Sequence, residues 1–183
     1  MPEMAELTRP ERAMFASAAS AVYCDQFSRA DRQLVSEHQQ PSPIDRERRY
    51  YSRGQQWSIK WHDRGQPLPG WFDPLMQGFV DLLTLPDNWD SYGAGQIDSG
   101  LVREAMNQMD GLLAPGNLAP RVIPLSSGGL QLEWHRNGVD LEIVYDKDEA
   151  PFYEYRNRIT GERLEGPFDP SDTVLRTMIS DMD

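Results

Sequence analysis

The stretch LQLEWHRNGVDLEIVYD, residues 130–146, constrains the fold more than any other part of the chain. Leu130, Leu132 and Trp134 alternate with Gln131, Glu133 and His135, and after Asn137-Gly138 the residues Val139, Leu141, Ile143 and Tyr145 alternate back. A period of two sorts side chains onto the two faces of a strand. Asn-Gly suits the left-handed backbone of a two-residue hairpin turn. An antiparallel hairpin with one buried and one solvated face is expected.

Neighbouring segments extend this unit. Arg121–Leu125 reads as a short strand joined to the hairpin by SSGG, and FYEYR offers Phe152, Tyr153 and Tyr155 to a fourth strand after the turn DKDEAP. Asp73-Pro74 is a helix start, with Leu75, Phe79, Leu82 and Leu83 following at helical spacing. Asp98 or Ser99 caps a second helix holding Leu101, Val102, Ala105, Met106, Met109, Leu112 and Leu113, ended by APGN. FDPSDTVLRTMISDMD reads as a last helix capped near Asp169 or Ser171, with Val174, Leu175, Met178 and Ile179 facing in. The expected class is α+β, an antiparallel meander of three to four strands packed by two or three helices over residues 71–183.

Residues 1–38 read as an amphipathic helical arm. Thr8 and Glu11 have capping-box spacing, and Phe15, Ala19, Tyr23, Phe27, Ala30 and Leu34 recur at steps of four and three. Residues 39–70 are rich in Gln, Arg, Pro and Gly with few aliphatic side chains, so they read as a linker or as a segment that orders against another surface.

Composition narrows the function classes. The single cysteine, Cys24, excludes an intrachain disulfide framework and a cysteine-based zinc site within one chain. No apolar run of about 18 residues occurs, and the N-terminus carries acids where a signal peptide has bases, so a soluble cytoplasmic chain without a membrane span is expected. Net charge is −11, unevenly spread: residues 1–64 carry 10 basic and 9 acidic side chains, residues 65–183 carry 8 and 20. So acidic a C-terminal part repels a nucleic-acid backbone, and either steers toward a basic partner or serves only to keep the domain soluble.

Known catalytic signatures are missing: there is no phosphate loop, dinucleotide fingerprint, H-E-x-x-H or G-x-S-x-G. His38, His62 and His135 share no ligand spacing, and His135, on the polar face of its hairpin, reads as a solvated side chain rather than a base or ligand. Glu133 and Glu142 fall on adjacent strands, on the solvent side, where paired carboxylates do acid–base work or hold a divalent metal. No lysine lies on the strands around them, however; Lys147 sits in the following turn. Neither a catalytic set, nor a cofactor, nor a metal site is assigned at this point.

Arg46, Arg48, Arg49, Tyr50, Tyr51, Trp57 and Trp61 interleave charge with rings. That composition suits docking on an acidic protein surface, on this chain's own acidic part, or on single-stranded nucleic acid. With the helix face Phe15, Tyr23, Phe27 and Leu34, these residues are the expected partner-binding set. The loop LPDNWDSYGAGQID, residues 85–98, reads as a structural plug of Trp89, Tyr92 and Trp134: Trp89 is expected to be mostly buried and to touch the hairpin at Trp134 or Leu132, and Asn88 and Asp90 to bond nearby amides.

Asn88, Trp89, Asp90, Gly93 and Ala94, followed by Pro124, Gly128, Gly129, Leu132, Glu133 and Trp134, resemble a pattern found in short bacterial proteins of uncharacterised activity. The match covers residues 85–146, about a third of the chain. The resemblance implies an accessory gene of a mobile or antiviral-defence island. The expected function is a non-enzymatic protein-interaction module, an accessory subunit or an inhibitor or adaptor, whose partner is another protein or a second copy of itself. A metal-dependent hydrolase or nuclease using Asp87, Asp90, Glu133 or Glu142 is one alternative. A nucleic-acid-binding accessory using residues 46–61 is the other.

Overall fold

Strands β1 (Leu130–Arg136) and β2 (Val139–Tyr145) form the hairpin at the centre of the molecule, in a computed structural model that describes residues 13–15, 21–27, 45–62 and 67–182. Asn137 and Gly138 both take positive φ, 53° and 77°, as a two-residue turn of this kind requires. Leu130, Leu132 and Trp134 are buried, as are Leu141, Ile143 and Tyr145, while the residues between them lie at or near the surface. Three further strands complete an antiparallel sheet in sequence order: β3 (Arg121–Pro124), β1, β2, β4 (Phe152–Asn157) and β5 (Arg163–Pro167). The meander therefore has five strands. Arg163–Pro167, with the sequence RLEGP, escapes the alternation argument because it holds one aliphatic residue, and it forms an edge that Arg, Gly and Pro suit.

Helices α1 (Phe72–Leu83), α2 (Ser99–Leu112) and α3 (Thr173–Ser180) fall where the sequence places them. Asp98 caps α2 by accepting from the amides of Gly100 and Leu101. The cap of α3 is Asp172 rather than Asp169 or Ser171; Asp169 instead accepts from the amide and hydroxyl of Ser171 one turn earlier. Leu75, Phe79, Met106, Met109, Leu175 and Ile179 join the sheet's inner face in one apolar core. Tyr145 reaches across it and donates its hydroxyl to Gln108 of α2 at 2.9 Å.

The N-terminal part departs from expectation. Residues 45–62, inside the expected linker, form a hairpin of β6 (Asp45–Ser52) and β7 (Gln55–His62) turning at Arg53 and Gly54, both at positive φ. The described pieces of the expected helical arm are strands, β8 (Ala13–Phe15) and β9 (Ala21–Phe27), in the sheet order β8-β9-β7-β6. A step of four, which marks Phe15, Tyr23 and Phe27, satisfies a period of two as well as one of 3.6. The strand wins because β7 offers a backbone edge to Ala21–Phe27, where Val22 pairs with Trp61 and Cys24 with Ile59. Tyr50, Trp57 and Ile59 from the hairpin belong to the same core as α1. Tyr50 donates to Asp73 at 2.8 Å, Arg48 pairs with the same carboxylate, and Ser52 bonds Thr84 at 2.9 Å. The Arg/aromatic segment thus folds back on the chain's own acidic part, one of the three destinations its composition suits.

Candidate functional site

All three helices contribute to the core on one side of the five-stranded sheet, and the other side presents polar rows. Register places Arg121, Glu133, Glu142, Glu154 and Glu165 directly across from one another on β3, β1, β2, β4 and β5. Four glutamates are consecutive neighbours. Like charges directly opposite one another destabilise a sheet. Burial, then the negative fields of Glu133 and Glu154, push the Glu142 carboxyl above its ordinary value. Gln131 partly relieves this by donating its amide to Glu133 at 2.9 Å and to Glu142 at 2.7 Å.

On one side of that row lie His135, Asp140, Arg156 and Arg163, again in register. His135 Nδ1 sits 2.8 Å from Asp140 and its Nε2 sits 3.1 Å from Glu133. The Asp140 bond, opposed by desolvation and aided by Glu133, raises the imidazole above its ordinary value. Arg158 donates to the same Asp140 oxygen and, above all other causes, holds that carboxyl low. On the other side the row is Gln131, Val144, Phe152 and Pro167, with Phe152 at 36% exposure. Between β2, β4 and β5 the surface dips into a hollow of about 240 Å³ lined by Glu142, Glu154, Glu165 and the two arginines Arg156 and Arg163, among others. Among the described residues, Glu133, His135 and Glu142 each offer a donor atom within 4.8 Å of the other two.

The other expected site residues are scattered. Asp87 is exposed, and Asp90 is engaged in its own loop. There Asp90 Oδ1 accepts from the amides of Tyr92 at 2.7 Å and Ala94 at 3.1 Å, while Asn88 Oδ1 accepts from Gly93 at 2.6 Å. These bonds hold the Asp90 carboxyl below its ordinary value, the Tyr92 amide most of all. Four carboxylates in one hydrolytic centre are therefore not assembled: Glu133 and Glu142 meet, Asp87 and Asp90 do not join them.

The plug expectation is corrected in part. Trp134 is 5% exposed in the core and donates its indole N–H to the Leu118 carbonyl at 3.1 Å. Tyr92 is 94% exposed at the tip of its loop, because the turn built on Asn88 and Asp90 points it outward. Trp89 is half-buried, outside the core cluster that holds Leu132 and Trp134, and its buried Nε1 has no hydrogen-bond partner. The loop meets the β3–β1 turn through polar atoms, Ser126 donating to Asp90, Gly95 to the Ser126 carbonyl and Asp98 to the Gly128 carbonyl, and its Ile97 enters the core that holds Leu132 and Trp134.

The expected partner-binding set is likewise divided. Tyr50 and Trp57, at 6% and 8% exposure, are core residues and are corrected as surface candidates; their rings cannot stack on a base. Burial and the Asp73 carboxylate push the Tyr50 hydroxyl well above its ordinary value. Arg46, Arg48 and Arg49 are exposed, Arg48 pairing with Asp73 and Arg49 lying 3.9 Å from Glu47; Tyr51 is 64% exposed. Phe15, Tyr23, Phe27 and Trp61 lie on strands, but their side chains, like the whole of Leu34, fall outside the described residues. The glutamate row was within reach of sequence reasoning only to its first two members. Glu154 and Glu165 join it through registers set by two longer turns. Among the described residues, no helix is long and apolar enough to cross a membrane. No family model, no curated protein and no solved structure matches the chain.

Proposed function

We propose that this chain is a non-enzymatic protein-interaction module, an accessory subunit or adaptor, whose acidic sheet face docks a basic segment of another protein. The observation that carries this reading is the row Glu133, Glu142, Glu154 and Glu165. A fold gains nothing from four adjacent like charges on one sheet face. Lysine or arginine from a partner removes the repulsion, and long aliphatic stems suit the flanking strip of Val144, Phe152 and Pro167. Electrostatic complementarity of this kind chiefly raises the association rate and selects the partner. A second copy of the chain would set acid against acid at this face. The Arg, Gly and Pro of the β5 edge suit strand pairing between copies poorly.

A displayed peptide library tests the proposal. Selection on the wild-type chain should enrich sequences with clustered Arg or Lys, and selection on the variant Glu133→Gln/Glu142→Gln/Glu154→Gln/Glu165→Gln should not. Equal enrichment on both chains, or none on either, contradicts it.

A further inference from the structure

We propose that Glu133, His135 and Glu142 form a binding site for a divalent first-row transition ion of the zinc class, with one imidazole nitrogen and two carboxylate oxygens as ligands. The donors come from two adjacent strands. Glu133 and His135 lie two residues apart on β1, so they share a face, and Glu142 is the register partner of Glu133 on β2. Their donor atoms fall within 4.8 Å of one another. In a tetrahedral set with bonds near 2 Å, neighbouring ligand atoms lie about 3.3 Å apart. His135 Nε2 and the Glu133 oxygen are 3.1 Å apart, so an ion fits between them with little movement.

The imidazole decides the class of ion. Magnesium and calcium prefer oxygen ligands, whereas a nitrogen beside carboxylates suits zinc and its neighbours. His135 is also oriented from outside the donor set: Asp140 holds Nδ1 at 2.8 Å, and Arg158 holds Asp140. A carboxylate on the far nitrogen of a ligating histidine fixes the ring and raises its basicity as a ligand. Three protein ligands on an open sheet face leave positions for water or for one side chain of a bound molecule.

This inference does not depend on the docking proposal. Zn²⁺ would be titrated into the full chain in competition with a chromophoric chelator, and the histidine ring protons followed by NMR. One ion should bind per chain and shift the ring signals of His135. His135→Gln and Glu142→Gln should each weaken binding at least ~10-fold. Glu154→Gln and Glu165→Gln, in the same row but outside the donor set, should leave it nearly unchanged, as should replacing His38 and His62 together. Excess Mg²⁺ or Ca²⁺ should not displace the ion. Zinc binding that survives loss of His135, or no binding by the wild-type chain, overturns the proposal. The ring shifts are read on the unaltered protein, so the outcome does not depend on any variant folding.

Discussion

Ser126 donates its hydroxyl to Asp90 Oδ2 at 3.0 Å, joining two loops 36 residues apart in the chain. The other oxygen of that carboxylate is already bonded to the amides of Tyr92 and Ala94, so one side chain closes the 88–94 turn and fastens it to the β3–β1 turn. Asp90→Ala should therefore speed hydrogen exchange at the Tyr92 and Ala94 amides while leaving β1 and β2 protected. The Asp90 carboxyl lies below its ordinary value, so its contribution is present above about pH 4 and is lost as the pH falls through the folded value. Uniform loss of protection across the molecule would show that the loop is not a separate unit.

Trp134 and Tyr92 of the expected plug should behave very differently. Trp134→Ala removes a buried ring and an indole hydrogen bond, and should cost about 3–5 kcal/mol in denaturant unfolding. Tyr92→Ala removes a ring that touches mainly water and should change stability by no more than about 0.5 kcal/mol. A large effect at Tyr92 would contradict the outward orientation of the loop.

Gly129 has a negative φ, yet a methyl group there would sit 2.4 Å from the Tyr145 carbonyl oxygen on the neighbouring strand. Gly129→Ala should destabilise by roughly 1–3 kcal/mol, as overpacking against backbone does. The Gly-Gly pair of the sequence pattern thus has a steric cause at Gly129 and a conformational one at Gly128, whose φ is +93°.

Glu142 distinguishes a row kept for stability from one kept for binding. Its carboxyl is raised, so folding loses stability as the pH rises through the folded value. Glu142→Gln retains an acceptor for Gln131 and removes one charge. Its denaturation midpoint at neutral pH should equal or exceed that of wild type, with the gap closing below about pH 4.5. A clear drop would mean the charge supports the fold. His135 runs with the same sign for a different reason: its raised value means that its bonds to Asp140 and Glu133 contribute fully below about pH 6.5 and fade as the pH rises through the folded value. The difference in stability between wild type and His135→Gln should shrink from pH 6 to pH 9.

Much of the C-terminal fold was legible because alternation and turn chemistry agree there. Asn137-Gly138 fixes the register of β1 and β2, and with it the pairing of Glu133 and Glu142. The N-terminal sheet was not legible, for two physical reasons. A four-residue step is common to both periods, and the segment of Arg, Tyr and Trp carries strand propensity with Ile59 as its one aliphatic residue. Arg53-Gly54 was the available signal for the β6–β7 hairpin, since both residues take positive φ. Tyr92 escapes the plug because the bonds of Asn88 and Asp90, which the sequence offers without a direction, decide where the loop points.

Docking of a basic protein segment is the role proposed for the glutamate row. Its most direct test is reversible cross-linking of the chain at its native expression level, comparing wild type with the four-glutamate-to-glutamine variant and identifying what each retains. Wild type should hold a partner with an Arg/Lys-rich segment and release it steeply with salt, and a folded variant should not retain it. The same partner retained by both chains, or insensitive to salt, would contradict it.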